Sequence, residues 1–313
     1  MSPRGWAAFA AMSLIWGLPY LFIKVAVDEG VSPAFLSFAR CVIAAVLLLA
    51  LAWKAGVLTQ VRSAWKWVAA YALAEIALPF PLIAAGEQHV SSSLAAILIA
   101  CVPLIVALIA LRVDRSERAT GVRLVGLFVG LAGVVALVGI DVAGKPDELW
   151  GTALIVLAAV GYAIGPLVLK AKLAHMDARA MMGASLAIAS VMLAIPAATT
   201  WPSAVPPANA VGSIVVLGLV CTALAFVVFS VLIREVGPGK ALVITYVNPV
   251  VAVALGVIIL GERPGTGAVA GLLLILAGSW LSTDGRLPPG LMRHLRGVRG
   301  PVAQPPGIMK AVA

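Results

Sequence analysis

Charge is what this chain most lacks. Only 11% of its residues are Asp, Glu, Lys or Arg, while 62% are hydrophobic. Soluble domains carry about 25% charged residues, so a mean hydropathy of +1.10 points to lipid as the solvent. Cysteine is also scarce. Cys41, Cys101 and Cys221 form no CxxC or Cys/His spacing, so neither a metal site nor a disulfide framework is indicated. No GxxxxGK[ST] loop is present, which excludes the usual ATP engine. No HExxH, GxSxG or membrane Asp-Asp pair appears, so an intramembrane protease or esterase has no visible catalytic set. The chain is expected to be no enzyme and to need no cofactor.

What the chain has is long apolar runs. A span needs about 20 apolar residues to cross a hydrocarbon core of ~30 Å. Ten such runs are expected, near residues 5–27, 33–53, 65–86, 92–111, 121–140, 150–171, 178–200, 211–233, 239–260 and 267–283. The first is too long for a cleaved signal peptide and lacks a small-residue cleavage site. Connections are short, so no soluble domain is expected beside the spans.

A net charge of +9 would suit nucleic acid, but the placement of the charges argues for a membrane. With the N-terminus in the cytoplasm, 18 of the 22 basic residues fall in cytoplasmic segments. Among them are Arg62, Lys66, Arg112, Arg115, Arg118, Lys170, Lys240 and Arg286. The opposite side gathers acids instead: Asp28, Glu29, Glu87, Asp141, Asp147, Glu148 and Glu262. That bias is the positive-inside rule with both termini in the cytoplasm. Residues 284–313, rich in Pro, Gly and Arg, are expected to be a disordered tail near anionic lipid.

The chain also repeats itself. Gly5-Trp6, Trp16-Gly17 and Lys24 line up with Gly151-Thr152, Tyr162-Ala163 and Lys170 at a shift of 146. Val90 and Pro103 line up with Val236 and Pro249 at the same shift. Five spans over residues 5–140 and five over 150–283 face opposite ways, because an odd number of crossings inverts the second copy. Inverted repeats are the usual architecture of secondary transporters.

Several motifs, in order, resemble the EamA-type proteins of the drug/metabolite transporter superfamily. They are Ile15-Trp16-Gly17-Leu18-Pro19-Tyr20 through Lys24, Pro33 followed by Arg40, Ser93-Leu94-Ala95-Ala96 through Pro103, Asn248-Pro249, and Leu260-Gly261-Glu262-Arg263-Pro264. The resemblance covers about 5–283. One departure is Asp114-Arg115-Ser116-Glu117-Arg118, where a Gly-Glu-Arg loop is expected. The resemblance implies an all-α integral membrane protein with ten transmembrane helices, alternating access around a central cavity, an inner (plasma) membrane location, and export of a small organic metabolite. It does not imply one substrate.

The ionisable groups inside the spans are few, and each costs roughly 2.5 to 3.5 kcal/mol at a helix centre. Lys24 falls at the outer interface, where it snorkels, packs at a gate rim or touches substrate. Arg40 and Glu75 fall near the midplane, where they are expected to pair. Their repeat equivalents, Leu186 and Cys221, carry no charge. Arg40 could hold a carboxylate or phosphate with its planar fork of donors; Glu75 could couple transport to protons. A purely structural ion pair is the alternative. Helical spacing places Trp16, Gly17 and Tyr20 on one stripe, Tyr71, Glu75 and Pro79 on another, and Asn248 with Pro249 on a third. Together with Tyr162 and Tyr246, these aromatic and polar groups make the candidate cavity wall. Gly17, Pro19, Pro79, Pro103 and Pro249 are candidate hinges, because an interior proline removes a helical hydrogen bond. Gly126-xxx-Gly130 and Gly267-xxx-Gly271 permit close helix approach, either within the molecule or in a homodimer. An amino-acid-like solute suits an Arg and a Glu among aromatics. Flipping of a lipid-linked intermediate, or an intramembrane enzyme or sensor, are the alternative functions.

Overall fold

The computed structural model describes residues 2–113, 121–237, 241 and 243–284. The departing loop Asp114–Arg118, Lys240, and the tail beyond Asp284 lie outside the described residues. The described residues are helical, with no strand. Eight helical segments are long and apolar enough to cross a membrane: α1 (Pro3–Asp28), α2 (Pro33–Lys54), α3 (Thr59–Glu87), α4 (Ser92–Ile109), α5 (Val122–Val142), α6 (Pro146–Leu173), α7 (Ala178–Thr199) and α8 (Ala208–Val236). Two shorter apolar helices follow, α9 (Ile244–Leu260) and α10 (Thr266–Ser282).

The starts of the helices follow from local chemistry. Ser2 and Ser32 accept backbone N–H bonds at the N-termini of α1 and α2, and each is followed by proline, which lacks the N–H that a first turn leaves unpaired. Ser91 and Asp177 do the same for α4 and α7. Two further caps come from distant residues. Glu262 accepts from Ser92 N at 2.8 Å, from Ser93 N at 3.0 Å and from the Ser93 hydroxyl. Asp141 accepts from Gly267 N at 3.1 Å and Ala268 N at 2.5 Å. These acids, expected in outer loops, therefore close the N-termini of α4 and α10, where the helix dipole favours negative charge.

Packing runs between the halves. α2 lies on α7, α4 on α9 and α5 on α10, while α1 lies on α8 and α3 on α6. Exchanging the two halves maps each of the first three pairs onto itself and the last two onto each other. α5 and α10 run antiparallel: Gly126 sits against Leu281 and Ser282, and Gly133 against Leu274. That is the geometry of an inverted repeat. The glycines Gly126, Gly130, Gly267 and Gly271 all face neighbours inside the molecule, so the small-residue stripes serve internal packing. The outer surface is apolar, as lipid demands: Phe128, Val135, Val191, Ile195 and Ile258 are exposed. Trp6, Trp53, Trp65 and Trp67 are exposed near one end of the helices, and Trp150 and Trp201 near the other, as in interfacial aromatic belts.

Proline marks three of the breaks. The first span splits at Trp16-Gly17, just before Pro19. The fourth splits at Ala100-Cys101, just before Pro103. In α3, a π-helical turn at Leu73–Ala77 precedes Pro79. Pro249, the repeat partner of Pro103, instead lies inside the uninterrupted helix Ile244–Leu260.

Candidate functional site

The site begins at two wide turns. Leu73–Ala77 in α3 and Leu219–Leu224 in α8 are both π-helical, and they stand 146 residues apart, at equivalent places in the two repeats. Their causes differ. Pro79 and Pro81 cannot donate to the carbonyls of Glu75 and Ala77, and the Leu78 N–H bonds Leu73 O at 3.0 Å. In α8 there is no proline. There the Thr222 hydroxyl donates to Leu217 O at 2.8 Å, a side chain taking a backbone acceptor. Single π turns within α-helices are frequent at functional sites.

Arg40 is 8% exposed. Its Nε donates to Thr222 Oγ1 at 2.9 Å, and its guanidinium lies 3.9 Å from the centre of the Phe80 ring. The expected Arg40–Glu75 ion pair is not made. The reason is where the helices meet: α2 lies against α3 beyond Glu75, along Pro79–Glu87, and against the wide turn of α8, whereas the wide turn of α3 meets α7. Arg40 therefore reaches Thr222 in the other half. Among the described residues no carboxylate lies within ion-pair distance of it.

Glu75 is half-buried, and its Oε2 is buried without a hydrogen-bond partner. It rests on Gly165 of α6, where any side chain would collide with that oxygen. Gly161, one turn earlier, lies against Ala74 O and Pro79. Tyr162, between the two glycines, is within electrostatic reach of both Arg40 and Glu75. Tyr71 is within reach of Glu75 and Tyr162, and Tyr20 of Tyr162 and Arg40. The structure thus brings Tyr20, Arg40, Tyr71, Glu75 and Tyr162 into one interior cluster.

The other named residues go elsewhere. Trp16 stacks at 4.8 Å on Phe229 and 6.2 Å from Phe226, in the seam between α1 and α8. The Tyr246 hydroxyl donates to Ser279 O at 3.3 Å, and its ring lies 5.6 Å from Trp280. The Asn248 amide, oriented to match its acceptors, donates to Ile244 O at 2.9 Å and Ser13 O at 3.3 Å. Gly17 allows α1 to touch Val251 of α9, since a Cβ there would stand 2.5 Å from a Val251 methyl.

Three residues near the cluster escape a reading of the spans. Phe80 and Thr222 touch Arg40 as described. Glu87, expected in an outer loop, is instead fully buried in the last turn of α3. Gly86 draws that turn against Gly151 and Ile155 of α6. The signal was present. Counting by fours from Tyr71 through Glu75 and Pro79 leads to Ile83 and then Glu87 on the same stripe. Lys24 closes the rim above it, paired with Asp28 at 2.9 Å and donating to Glu87 O at 2.8 Å.

Arg40 is thus buried among tyrosines where the two repeats cross, with no carboxylate at ion-pair distance among the described residues. The EamA-like transporter family model matches residues 4–139 and 149–283. The chain belongs to the EamA-like transporter family. It is 30% identical to the uncharacterized inner membrane transporter YedA of Escherichia coli (strain K12), over 82% of each chain. It is 28% identical to a probable terminal-alkyne amino-acid exporter of Streptantibioticus cattleyicolor, over 90% of this chain and 93% of that one. A solved crystal structure of 22% identity aligns over 90% of this chain and 98% of its own, with a TM-score of 0.62. That likeness supports the fold alone. The family and these relatives are described as transporters.

Proposed function

We propose that this EamA protein exports an amino-acid-like metabolite by alternating access, in a ten-span arrangement with both termini cytoplasmic. One observation carries the reading: Arg40 is buried, uses Nε on Thr222, and has no acidic partner among the described residues. A buried charge normally costs several kcal/mol unless paired, so a partner that comes and goes explains its retention. A carboxylate from the solute would meet the guanidinium fork. Tyr20 and Tyr162 would flank its apolar part. Glu75, within electrostatic reach of Tyr162, is the proton-coupling acid. The amino-acid exporter name of one relative supports the substrate class, and export follows the same analogy. Gly17, Pro19, Pro79 and Pro103 adjoin the helix breaks and are the proposed hinges; Pro249 would bend an unbroken helix.

The test is metabolite profiling of the medium from cells producing wild type, Arg40→Ala or Glu75→Gln at matched membrane levels, followed by counterflow in liposomes. The solute enriched outside by wild type is expected to vanish with Arg40→Ala. With Glu75→Gln, counterflow is expected to persist while dependence on a pH gradient disappears. Full transport by Arg40→Ala sinks the site.

A second reading, flipping of a lipid-linked intermediate, is favoured by one feature. An apolar groove of about 370 Å³ opens between α2 and α8, lined by Leu47, Leu51, Leu219, Ala223 and Val227, with Lys54 at its edge. A lipid substrate would be displaced by Leu47→Trp, at an exposed wall of the groove, which a soluble amino acid would tolerate.

A further inference from the structure

Glu87 has no part in the proposed transport site, yet it is the most deeply buried acid described. Its exposure is 0%, and neither carboxyl oxygen has a hydrogen-bond partner. Several titratable groups lie within electrostatic reach of it. From α1 come Tyr20, Lys24 and Asp28; from α2, Arg40; from the loop after α9, Glu262. α6 offers Gly151 and Ile155 to the same turn, with no charged group among those contacts. His89, two residues further along, is exposed.

We propose that Glu87 is a second proton-binding carboxyl, on the side of the Arg40 layer that carries the α1–α2 loop, and that Lys24 is its exchangeable counter-ion. As a neutral acid, Glu87 escapes the penalty that a buried anion without donors would pay. In that state Lys24 is left to Asp28. Its Nζ already lies 2.8 Å from the Glu87 backbone carbonyl, so a change of rotamer carries the ammonium to the carboxylate of the same residue. Opening the rim would admit water, take the proton, and exchange the Lys24–Asp28 pair for a Lys24–Glu87 pair. Closing would reverse both steps. Glu75 lies 12 residues away, about 18 Å along the helix, on the other side of the Arg40 layer. The two acids would thus serve opposite faces of the membrane. The inference rests on the transporter reading but not on Glu75 being the coupling acid.

The test is labelling with dicyclohexylcarbodiimide, which adds to protonated carboxyls in apolar surroundings. Full-length protein is placed in sealed vesicles, the pH on each side is stepped separately, and adducts are mapped by peptide mass spectrometry. Thiol labelling of a Glu29→Cys variant fixes which side bears the α1–α2 loop. The expected result is an adduct on Glu87 that falls as the pH on that side rises and ignores the pH on the other. Lys24→Met should raise the adduct several-fold at one pH, because the neutral acid loses its competitor. No adduct on Glu87 at any pH, or labelling that follows the opposite side or neither, overturns the proposal. Glu87→Gln, folded by size-exclusion chromatography, identifies the labelled peptide. Transport by Arg40→Ala in the same vesicles reports separately on the transporter reading.

Discussion

The two wide turns occupy the same place in the two repeats and do opposite things. The turn of α3 carries a carboxyl, Glu75, whose Oε2 has no hydrogen-bond partner. The turn of α8 carries Cys221 and Thr222, and spends Thr222 on holding Arg40. The backbone device was duplicated with the repeat; the chemistry was not. Prolines widen one turn, and a hydroxyl-to-carbonyl bond accompanies the other. The comparison teaches that pseudo-symmetry here governs which helices meet, whereas asymmetry in a few side chains makes a site. Arg40 crosses to the second half because α2 packs on the α8 turn, and Leu186, its repeat partner, packs into the apolar cluster around Tyr71 and Ile76.

The sharpest way to break the comparison is at Thr222. Thr222→Val keeps the shape and removes the hydroxyl, leaving the Arg40 Nε without its acceptor and Leu217 O without its donor. A hydrogen bond to a charged group contributes about 1.5–3 kcal/mol, and the buried group left behind adds its own desolvation. A loss of about 3 kcal/mol in unfolding free energy is expected, read as a fall in melting temperature in detergent. Thr222→Ser restores both bonds and should recover most of it. Equal stability of the Val and wild-type proteins would show that the α8 turn does not depend on the hydroxyl.

The other turn is tested through its seat on α6. Gly165→Ala puts a methyl group against Glu75 Oε2, and overpacking of this kind costs about 1–3 kcal/mol. The expected signature is coupling: Glu75→Ala made together with Gly165→Ala should recover much of the loss, because the colliding oxygen is gone. Additive effects of the two changes in thermal unfolding would mean that Glu75 moves aside freely.

The sequence carried the broad architecture and part of the site. Apolar run lengths located the helical segments, and the shift of 146 paired Gly17 with Ala163 and Pro103 with Pro249. Helical stripes named Tyr20, Tyr71 and Glu75, which the fold gathers around Tyr162 and Arg40. What remained hidden depends on which helix lies beside which. A stripe says that a residue faces inward, not what it meets. Trp16 faces inward and meets Phe229; Tyr246 faces inward and meets Trp280. The Arg40–Glu75 pairing needed the level at which α2 meets α3: the contact falls beyond Glu75, at Phe80, and the guanidinium turns to Thr222 in the far half. Glu87 was lost to a boundary of one residue: a span ending at 86 leaves it in a loop, and a helix ending at Glu87 buries it.

The smallest effect expected contrasts the caps that start α2 and α7, equivalent helices in the two repeats. Ser32 caps α2 without charge. Asp177 caps α7 and accepts from Arg179 through its backbone N, Nε and a terminal nitrogen at 2.8–2.9 Å. Those bonds to Arg179 hold the Asp177 carboxyl below its ordinary value of 3.8. A lowered native value means that the unfolded chain takes up the proton first as pH falls. The contribution is therefore complete above the unfolded value near 3.8 and is lost as pH drops through the lower native one. Both side chains are at the surface and screened by solvent, so the pair contributes only a small part of the stability. Asp177→Asn should cost no more than that at neutral pH and should flatten the acid limb of the melting temperature against pH. Ser32→Ala, removing a neutral cap, should lower the curve by a similar amount at every pH without changing its shape. An acid limb unchanged in Asp177→Asn would assign it to other carboxyls.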